Sequence, residues 1–130
     1  MSVNWTLIAS VTTAGGAGVA TGDSGIVSGS SGGFPSGILT AIYIDFTSMP
    51  ATCDVTISEV MPNDALRTLL VTTDKNTDGV FIVKIPTYST AGVVSASDLA
   101  YPVVARRFKV TVAQADAITN GVSVYFQIME

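Results

Sequence analysis

The sequence predicts a single all-β domain, an antiparallel β-sandwich or jelly roll of about seven or eight strands. Three observations predict this fold class. Apolar and polar residues alternate in several short runs, glycine and proline separate these runs, and no long segment carries the helical spacing of apolar side chains. The chain has 130 residues, which is enough for one hydrophobic core and too few for two. We therefore treat 1–130 as one domain.

Each predicted strand is justified by alternation or by a continuous apolar run. In the first, Trp5, Leu7, Ala9 and Val11 are expected to share one face. In chain order, the strands are predicted around Trp5–Val11, Ile42–Phe46, Cys53–Ile57, Leu66–Thr72, Val80–Ile85, Phe108–Val112 and Val122–Ile128. Between two of these runs, Asp78-Gly79 predicts a β-hairpin. The segment 89–102 is predicted to be an excursion between strands.

A glycine-rich segment interrupts this pattern. Residues 14–37 hold nine of the twelve glycines and a single charged residue, Asp23. A loop of this length is uncommon in a compact domain, and its composition favours flexibility. We predict either a flexible surface loop or an arm that orders against a neighbouring subunit. Ile26, Val27 and Phe34 are the candidate anchors of such an arm.

The composition excludes several kinds of chemistry. The chain has no histidine and one cysteine, which excludes a Ser-His-Asp triad, a histidine metal site and an intrachain disulfide. Six basic residues against ten acidic ones give a net charge of −4 and argue against nucleic-acid binding. Despite a mean hydropathy of +0.51, no apolar run is long enough for a transmembrane helix. We expect a protein that is not an enzyme and has no cofactor and no membrane or nucleic-acid partner.

Two local motifs favour structural interpretations. Gly22-Asp23-Ser24-Gly25 matches the sequence around the nucleophile of trypsin-like proteases, but no histidine exists to take the serine proton. Asp74, Asn76 and Asp78, followed by Gly79, match the first half of a calcium-binding EF-hand loop. The position of the final glutamate ligand is Ile85. We therefore favour a β-hairpin turn rich in Asp and Asn and keep calcium as the alternative.

The remaining candidates are basic, aromatic and thiol side chains. Arg106, Arg107 and Lys109 form the basic cluster of the sequence, with Arg107 and Lys109 on one strand face. They are interpreted either as a solvated strand face or as a subunit contact. Cys53 lies on the apolar face of its strand and is expected to be a buried, unreactive thiol. Exposed tyrosines are candidates for carbohydrate stacking, namely Tyr43, Tyr88, Tyr101 and Tyr125.

Two stretches resemble small bacteriophage virion proteins encoded among head genes. One contains RTLLVTTDKNTDGVFIVKIPT, and the other is the C-terminal FKVTVAQADAITNGVSVYFQIME, in which a strand ends in VAQAD and a last strand follows an Asn-Gly break. Similar endings occur in capsid decoration, cement and head-fibre proteins. The resemblance covers between a third and a half of the chain. It implies a β-sandwich subunit, most often a homotrimer, that binds the major capsid protein on the outside of the virion after synthesis in the host cytoplasm.

Two other functions remain open at this stage. One is another virion role, as a tail or head-fibre component. The other belongs to a different class, a carbohydrate-binding or adhesive β-sandwich module that uses exposed tyrosines. The capsid decoration protein is the favoured function at this stage, because low charge fits an interface that neighbouring subunits cover.

Overall fold

The chain folds into an antiparallel β-sandwich. The structure, a computed structural model, describes residues 3–28, 37–88, 92, 94–104 and 107–129. Twelve strands lie in these ranges: β1 (Val3–Val11), β2 (Ala20–Asp23), β3 (Val27–Ser28), β4 (Gly37–Phe46), β5 (Asp54–Val60), β6 (Leu66–Thr72), β7 (Gly79–Phe81), β8 (Ile85–Tyr88), β9 (Val94–Ala100), β10 (Val103–Val104), β11 (Arg107–Ala115) and β12 (Val122–Met129). Within the same ranges, no helix is long and apolar enough to cross a membrane.

The strands form two main sheets and one separate hairpin. Sheet 1 has the order β1-β12-β4, and the other edge of β4 pairs with β10 at its beginning and with β7 towards its end. In sheet 2, β11 pairs with β5 and β5 with β6, while β2 and β3 share the other edge of β11. The third sheet consists of β8 and β9. Neighbouring strands are antiparallel, and the predicted all-β sandwich is confirmed.

The inner faces of sheets 1 and 2 enclose one hydrophobic core. The central strands β5, β11, β4 and β12 contribute most of its fully buried side chains, as their period-two patterns predict. Phe108 of β11 and Phe126 of β12 meet edge to face across the sheets, with ring centroids 4.8 Å apart, a preferred geometry for aromatic pairs. The core therefore joins the two sheets into one unit.

The predicted hairpin at Asp78-Gly79 is wrong. The two runs that flank it belong to different sheets, because β6 pairs with β5 and β7 pairs with β4. The connecting segment crosses the end of the sandwich and is held there by hydrogen bonds to the β4–β5 connection. The Asn76 side chain donates to the Met49 carbonyl at 2.8 Å, and the Lys75 amide donates to the Cys53 carbonyl at 2.9 Å. The local turn pattern could not predict these hydrogen bonds, because their partners are remote in the sequence.

Three further segments differ from the sequence prediction. The run Val80–Ile85 is not one strand, since β7 ends at Phe81 and β8 begins at Ile85 in a different sheet. The predicted excursion 89–102 contains β9. The glycine-rich segment contributes β2 and β3, both paired to β11, and its residues 29–36 lie outside the described ranges. Together with β10, the additional strands β2, β3, β8 and β9 explain why twelve strands are found in the described ranges where seven or eight were predicted.

Candidate functional site

A row of apolar side chains crosses the outer face of sheet 1. The strand registers place Leu7 of β1 opposite Tyr125 of β12, Tyr125 opposite Tyr43 of β4, and Tyr43 opposite Val80 of β7. Directly opposed residues on one sheet face are close neighbours. The row therefore spans four strands, and together with Trp5 it forms what we call the aromatic surface.

A β-bulge in the first strand turns Trp5 and Leu7 towards this surface. The register steps from Leu7 opposite Tyr125 to Ala9 opposite Val124, so that Ile8 is an extra residue. An extra residue reverses the alternation of faces. Trp5 and Leu7 are accordingly 43% and 46% exposed, whereas Ile8 and Val11 are buried. The prediction that Trp5 and Leu7 share a face with Ala9 and Val11 is wrong for this reason.

Three aromatic rings form the centre of the aromatic surface. The Tyr43 ring lies between the others, with its centroid 6.2 Å from Trp5 at an interplanar angle of 67° and 5.8 Å from Tyr125 at 51°. Trp5, Tyr43, Tyr125 and Val80 line an open depression of about 400 Å³. Apolar walls with a few polar groups at the margin are typical of small-molecule sites, and this depression is open enough to admit an extended ligand.

Polar side chains border the row on both sides. On one side, the register aligns Ser10, Ser123 and Asp45, and the hydroxyls of Ser10 and Ser123 lie 2.9 Å apart. On the other side, the Thr40 hydroxyl contacts the side-chain oxygen of Gln127 at 3.0 Å. The hydroxyl and amide groups can both donate and accept hydrogen bonds at the margin of the apolar surface, and the carboxylate can accept them.

Carboxylates dominate the electrostatics around Tyr43. Burial raises the pKa of the Tyr43 phenol above 10.0, and the nearby charges of Asp78 and Asp45 and a hydrogen bond to Asp78 raise it further. The same Asp78 carboxylate accepts the Phe46 amide at 2.6 Å, at the end of β4. Asp78 thus fixes the end of β4 and disfavours ionisation of Tyr43, so that the aromatic surface carries a neutral phenol at physiological pH.

The predicted calcium ligands have separate structural partners. The Asp74 amide donates to the Asp54 carboxylate at 2.9 Å, Asn76 donates to a main-chain carbonyl, and Asp78 accepts the Phe46 amide. In the described ranges, no three His, Cys, Asp or Glu side chains converge on a point where they would hold a metal ion. These hydrogen bonds run to residues remote in the sequence, so the favoured β-hairpin turn is wrong and the segment is a crossing between the two sheets.

The predicted partner-binding residues are divided between sheet 2 and undescribed segments. Arg107 pairs with Asp64 at 2.6 Å and donates to the Met61 carbonyl, and Lys109 lies 3.9 Å from the Asp23 carboxylate. Ile26 is exposed, whereas Val27 packs against the core. Phe34 and Arg106 lie outside the described residues. The sequence-predicted set is therefore not brought together with the aromatic surface, and its role in partner binding stays a prediction.

The GDSG motif holds the glycine-rich segment against β11. β2 pairs with β11 from Thr111 onward and β3 pairs with it up to Phe108, which leaves Val110 between the two ladders. Ser24 fills this gap: its amide donates to the Val110 carbonyl at 2.9 Å, and its hydroxyl accepts the Val110 amide at 3.0 Å. The serine thus replaces a missing strand residue, and its hydroxyl is already used.

The two glycines of the motif have separate steric reasons. A side chain at Gly22 would collide with the Thr12 carbonyl, and Gly25 has a φ of +62°, in the left-handed region that favours glycine. The Asp23 carboxylate accepts the Gly25 amide at 2.7 Å and closes the corner. The resemblance of this motif to a protease sequence therefore reflects the requirements of a β-sheet corner.

The remaining candidates lie away from the aromatic surface. Cys53 is fully buried, and burial raises the pKa of its thiol to about 11, with a smaller contribution from Asp54. A thiol in this state is a poor nucleophile. Tyr101 is exposed, and the Lys84 ammonium lies 5.1 Å from its ring centroid. Tyr88 belongs to β8 of the separate hairpin.

The sequence identified part of the aromatic surface. Tyr43 and Tyr125 were predicted as exposed aromatic residues, and the structure makes them direct cross-strand neighbours. Trp5, Leu7 and Val80 were missed, because strict alternation assigns Trp5 and Leu7 to the core and a continuous apolar run hides Val80. A bulge leaves no clear signal in a single sequence, so only the strand register brings these residues together.

Comparison with known proteins gives little further information. No protein-family model matches the chain, and no curated protein matches it significantly. Two solved structures that it resembles are mutants of CBM29-2, described as a family 29 carbohydrate binding module. Each has a TM-score of 0.39 and 14% sequence identity, and the match covers 98% of this chain and 90% or 89% of the other. At this TM-score the likeness carries no argument about what this chain binds.

Proposed function

We propose that this chain is a carbohydrate-binding module and that the aromatic surface of sheet 1 is its binding site. The observation that carries the proposal is the grouping of Trp5, Tyr43 and Tyr125 on one open sheet face. A sugar ring presents C–H groups on its faces and hydroxyls around its edge. Aromatic side chains combine a large apolar area with low conformational cost, which suits them to the sugar faces, and the polar borders suit the hydroxyls.

The geometry favours an extended and uncharged glycan. The depression is open, and its three aromatic rings come from three neighbouring strands, so that it runs across the sheet and is not a closed pocket. The charged groups that act on Tyr43 are the carboxylates of Asp78 and Asp45. Since these carboxylates repel acidic sugars, we expect neutral polysaccharides to bind and polyuronates to bind weakly or not at all.

Affinity electrophoresis through gels that contain neutral polysaccharides tests this function, with a glycan array to extend the panel. We expect the wild-type chain to be retarded and Trp5→Ala and Tyr43→Ala each to weaken binding by about tenfold or more, the loss expected for an aromatic anchor. Tyr101→Ala is the matched control, because it removes an exposed ring outside the aromatic surface. No retardation of the wild-type chain by any polysaccharide, or equal losses in Tyr43→Ala and Tyr101→Ala, would contradict the proposal.

A second candidate is a bacteriophage capsid decoration protein that binds the major capsid protein on the virion surface. Two observations favour it. The C-terminal stretch that carries the resemblance corresponds to β11 and β12, and large apolar side chains are exposed outside the aromatic surface on a chain with only 12% charged residues: Ile26, Leu66, Val71, Ile82, Leu99 and Val103. Interfaces are depleted of charge at their centres. The other resembling stretch does not form the hairpin that the resemblance contained.

The position of the gene and measurements with capsid shells test the second candidate. A gene for a major capsid protein should lie beside the gene for this chain, and the chain should cosediment with shells assembled from that protein. Binding to an assembled shell alone would stabilise the shell by mass action, so the shells should also melt at a higher temperature in its presence. If the shells neither retain the chain nor gain stability, this function is excluded.

A further inference from the structure

The first strand forms an edge of sheet 1. β1 runs for nine residues, Val3–Val11, and pairs with β12 along one side. Across the described part of the chain, no strand pairs with its other side. A row of main-chain donors and acceptors is therefore left along this side, and such a row is a template for another strand.

The first half of this edge lacks the usual features that prevent association. Natural edge strands are commonly protected by charged residues, proline, short length or a bulge. β1, with the sequence VNWTLIASV, has no charged residue and no proline. Its bulge lies at Ile8, so that the segment Val3–Leu7 pairs with β12 in an unbroken register. At the same edge, Trp5 and Leu7 leave 43% and 46% of their surface exposed.

We propose that β1 pairs antiparallel with β1 of a second copy of this chain, over the segment Val3–Leu7, and joins two copies of sheet 1 into one continuous sheet. The second copy is the occupant that the edge fits best, because antiparallel pairing of a strand with itself is two-fold symmetric and an uncharged strand does not repel its copy. The middle residue of the segment is Trp5, which then faces its counterpart on the outer side of the sheet.

This pairing joins two aromatic surfaces. Leu7 is the β1 member of the apolar row, and Trp5 lies beside it at the same edge. In the dimer Trp5 faces Trp5 of the second copy and Leu7 lies diagonally across from that ring, so that the two rows meet, offset along the strand, in one apolar band across two sheets. The band covers the exposed flanks of Trp5 and Leu7 and lengthens the surface available to a bound chain. Pairing through β1 does not depend on whether that chain is a glycan.

Light scattering after size-exclusion chromatography tests the pairing with the full chain. The wild-type chain should have twice the mass of the 13.4 kDa chain. Leu7→Lys, which introduces a charge at the paired edge, should raise the dimer dissociation constant at least tenfold and yield monomer. Val71→Lys is the matched control, since it also places lysine at an exposed apolar position, on the edge strand β6 of sheet 2, and should leave the dimer intact.

Hydrogen exchange tests the same pairing in the wild-type chain, and it does not require the Leu7→Lys variant to fold. In the wild-type chain, amides of β1 should lose protection on dilution while amides of the edge strand β6 keep theirs. A wild-type monomer at high protein concentration, a trimer, or a dimer that dissociates equally in both lysine variants would each overturn the proposal. A trimer does so because pairing of β1 with its own copy closes at two chains.

Discussion

Replacement of Ser24 by alanine should destabilise the fold although the residue lies in a glycine-rich segment. The Ser24 hydroxyl accepts the amide of Val110 at 3.0 Å in the gap between β2 and β3. Alanine leaves this amide without its acceptor next to a fully buried side chain. An unsatisfied group of this kind costs about 1–3 kcal/mol, and we expect about 1–2 kcal/mol because Ser24 itself is half-buried.

Urea denaturation followed by far-ultraviolet circular dichroism measures this loss. For a chain of this size, about 1–2 kcal/mol corresponds to a fall in Tm of roughly 4–8 °C and a fall in the urea midpoint of roughly 0.5–1 M. Ser24→Thr retains the hydroxyl and should recover most of the stability. Ser10→Ala is the control, because the exposed Ser10 hydroxyl bonds, among the described residues, to the Ser123 hydroxyl, and its loss should change stability by less than about 0.5 kcal/mol.

The argument about Ser24 is refuted if Ser24→Ala unfolds at the wild-type midpoint or matches Ser10→Ala. Either result would mean that water replaces the hydroxyl at the Val110 amide without loss, and that the corner between β2 and β3 is not held by the serine. It would also restore the sequence-based expectation that the glycine-rich segment is loosely attached.

Three other predictions concern the thiol, the central tyrosine and the core. Burial holds the pKa of Cys53 at about 11 against an ordinary 9.0, so the folded chain keeps a proton that the unfolded chain loses. The free energy of unfolding should therefore fall between about pH 9 and pH 11, with a smaller fall in Cys53→Ala, as measured by urea denaturation at each pH. Asp78→Asn removes a negative charge beside Tyr43 and should lower the pKa of Tyr43 towards its ordinary value, as followed by NMR of ring-labelled tyrosine; an unchanged pKa would contradict the assigned cause. A double-mutant cycle of Phe108→Leu and Phe126→Leu should give a coupling energy of about 0.5–1.5 kcal/mol for their edge-to-face contact, and strict additivity would show that the ring geometry contributes nothing.

The extent of sequence-based prediction differs between the strands and their connections. β6 was predicted with its observed bounds, and β5, β11 and β12 were predicted on the correct faces, because alternation of buried and exposed residues is a local property. The hairpin at Asp78-Gly79 failed, since the choice between a turn within one sheet and a crossing between sheets depends on remote hydrogen bonds. The exposure of Tyr43 on β4 and of Tyr125 on β12 could be predicted from alternation. The exposure of Trp5 could not, because it results from the bulge in β1.

The sequence by itself determined the all-β fold class, the absence of histidine chemistry and the charge-poor character of the chain. These properties follow from composition and from patterns within a few residues. Only the tertiary structure decided which strands are neighbours, and with them the row from Leu7 to Val80, the role of Ser24 in a gap between two ladders, and the unpaired edge of β1. The physical reason is that strand pairing joins residues that are far apart in the chain. In addition, a single bulge moves the residues on one side of it to the opposite face of the sheet.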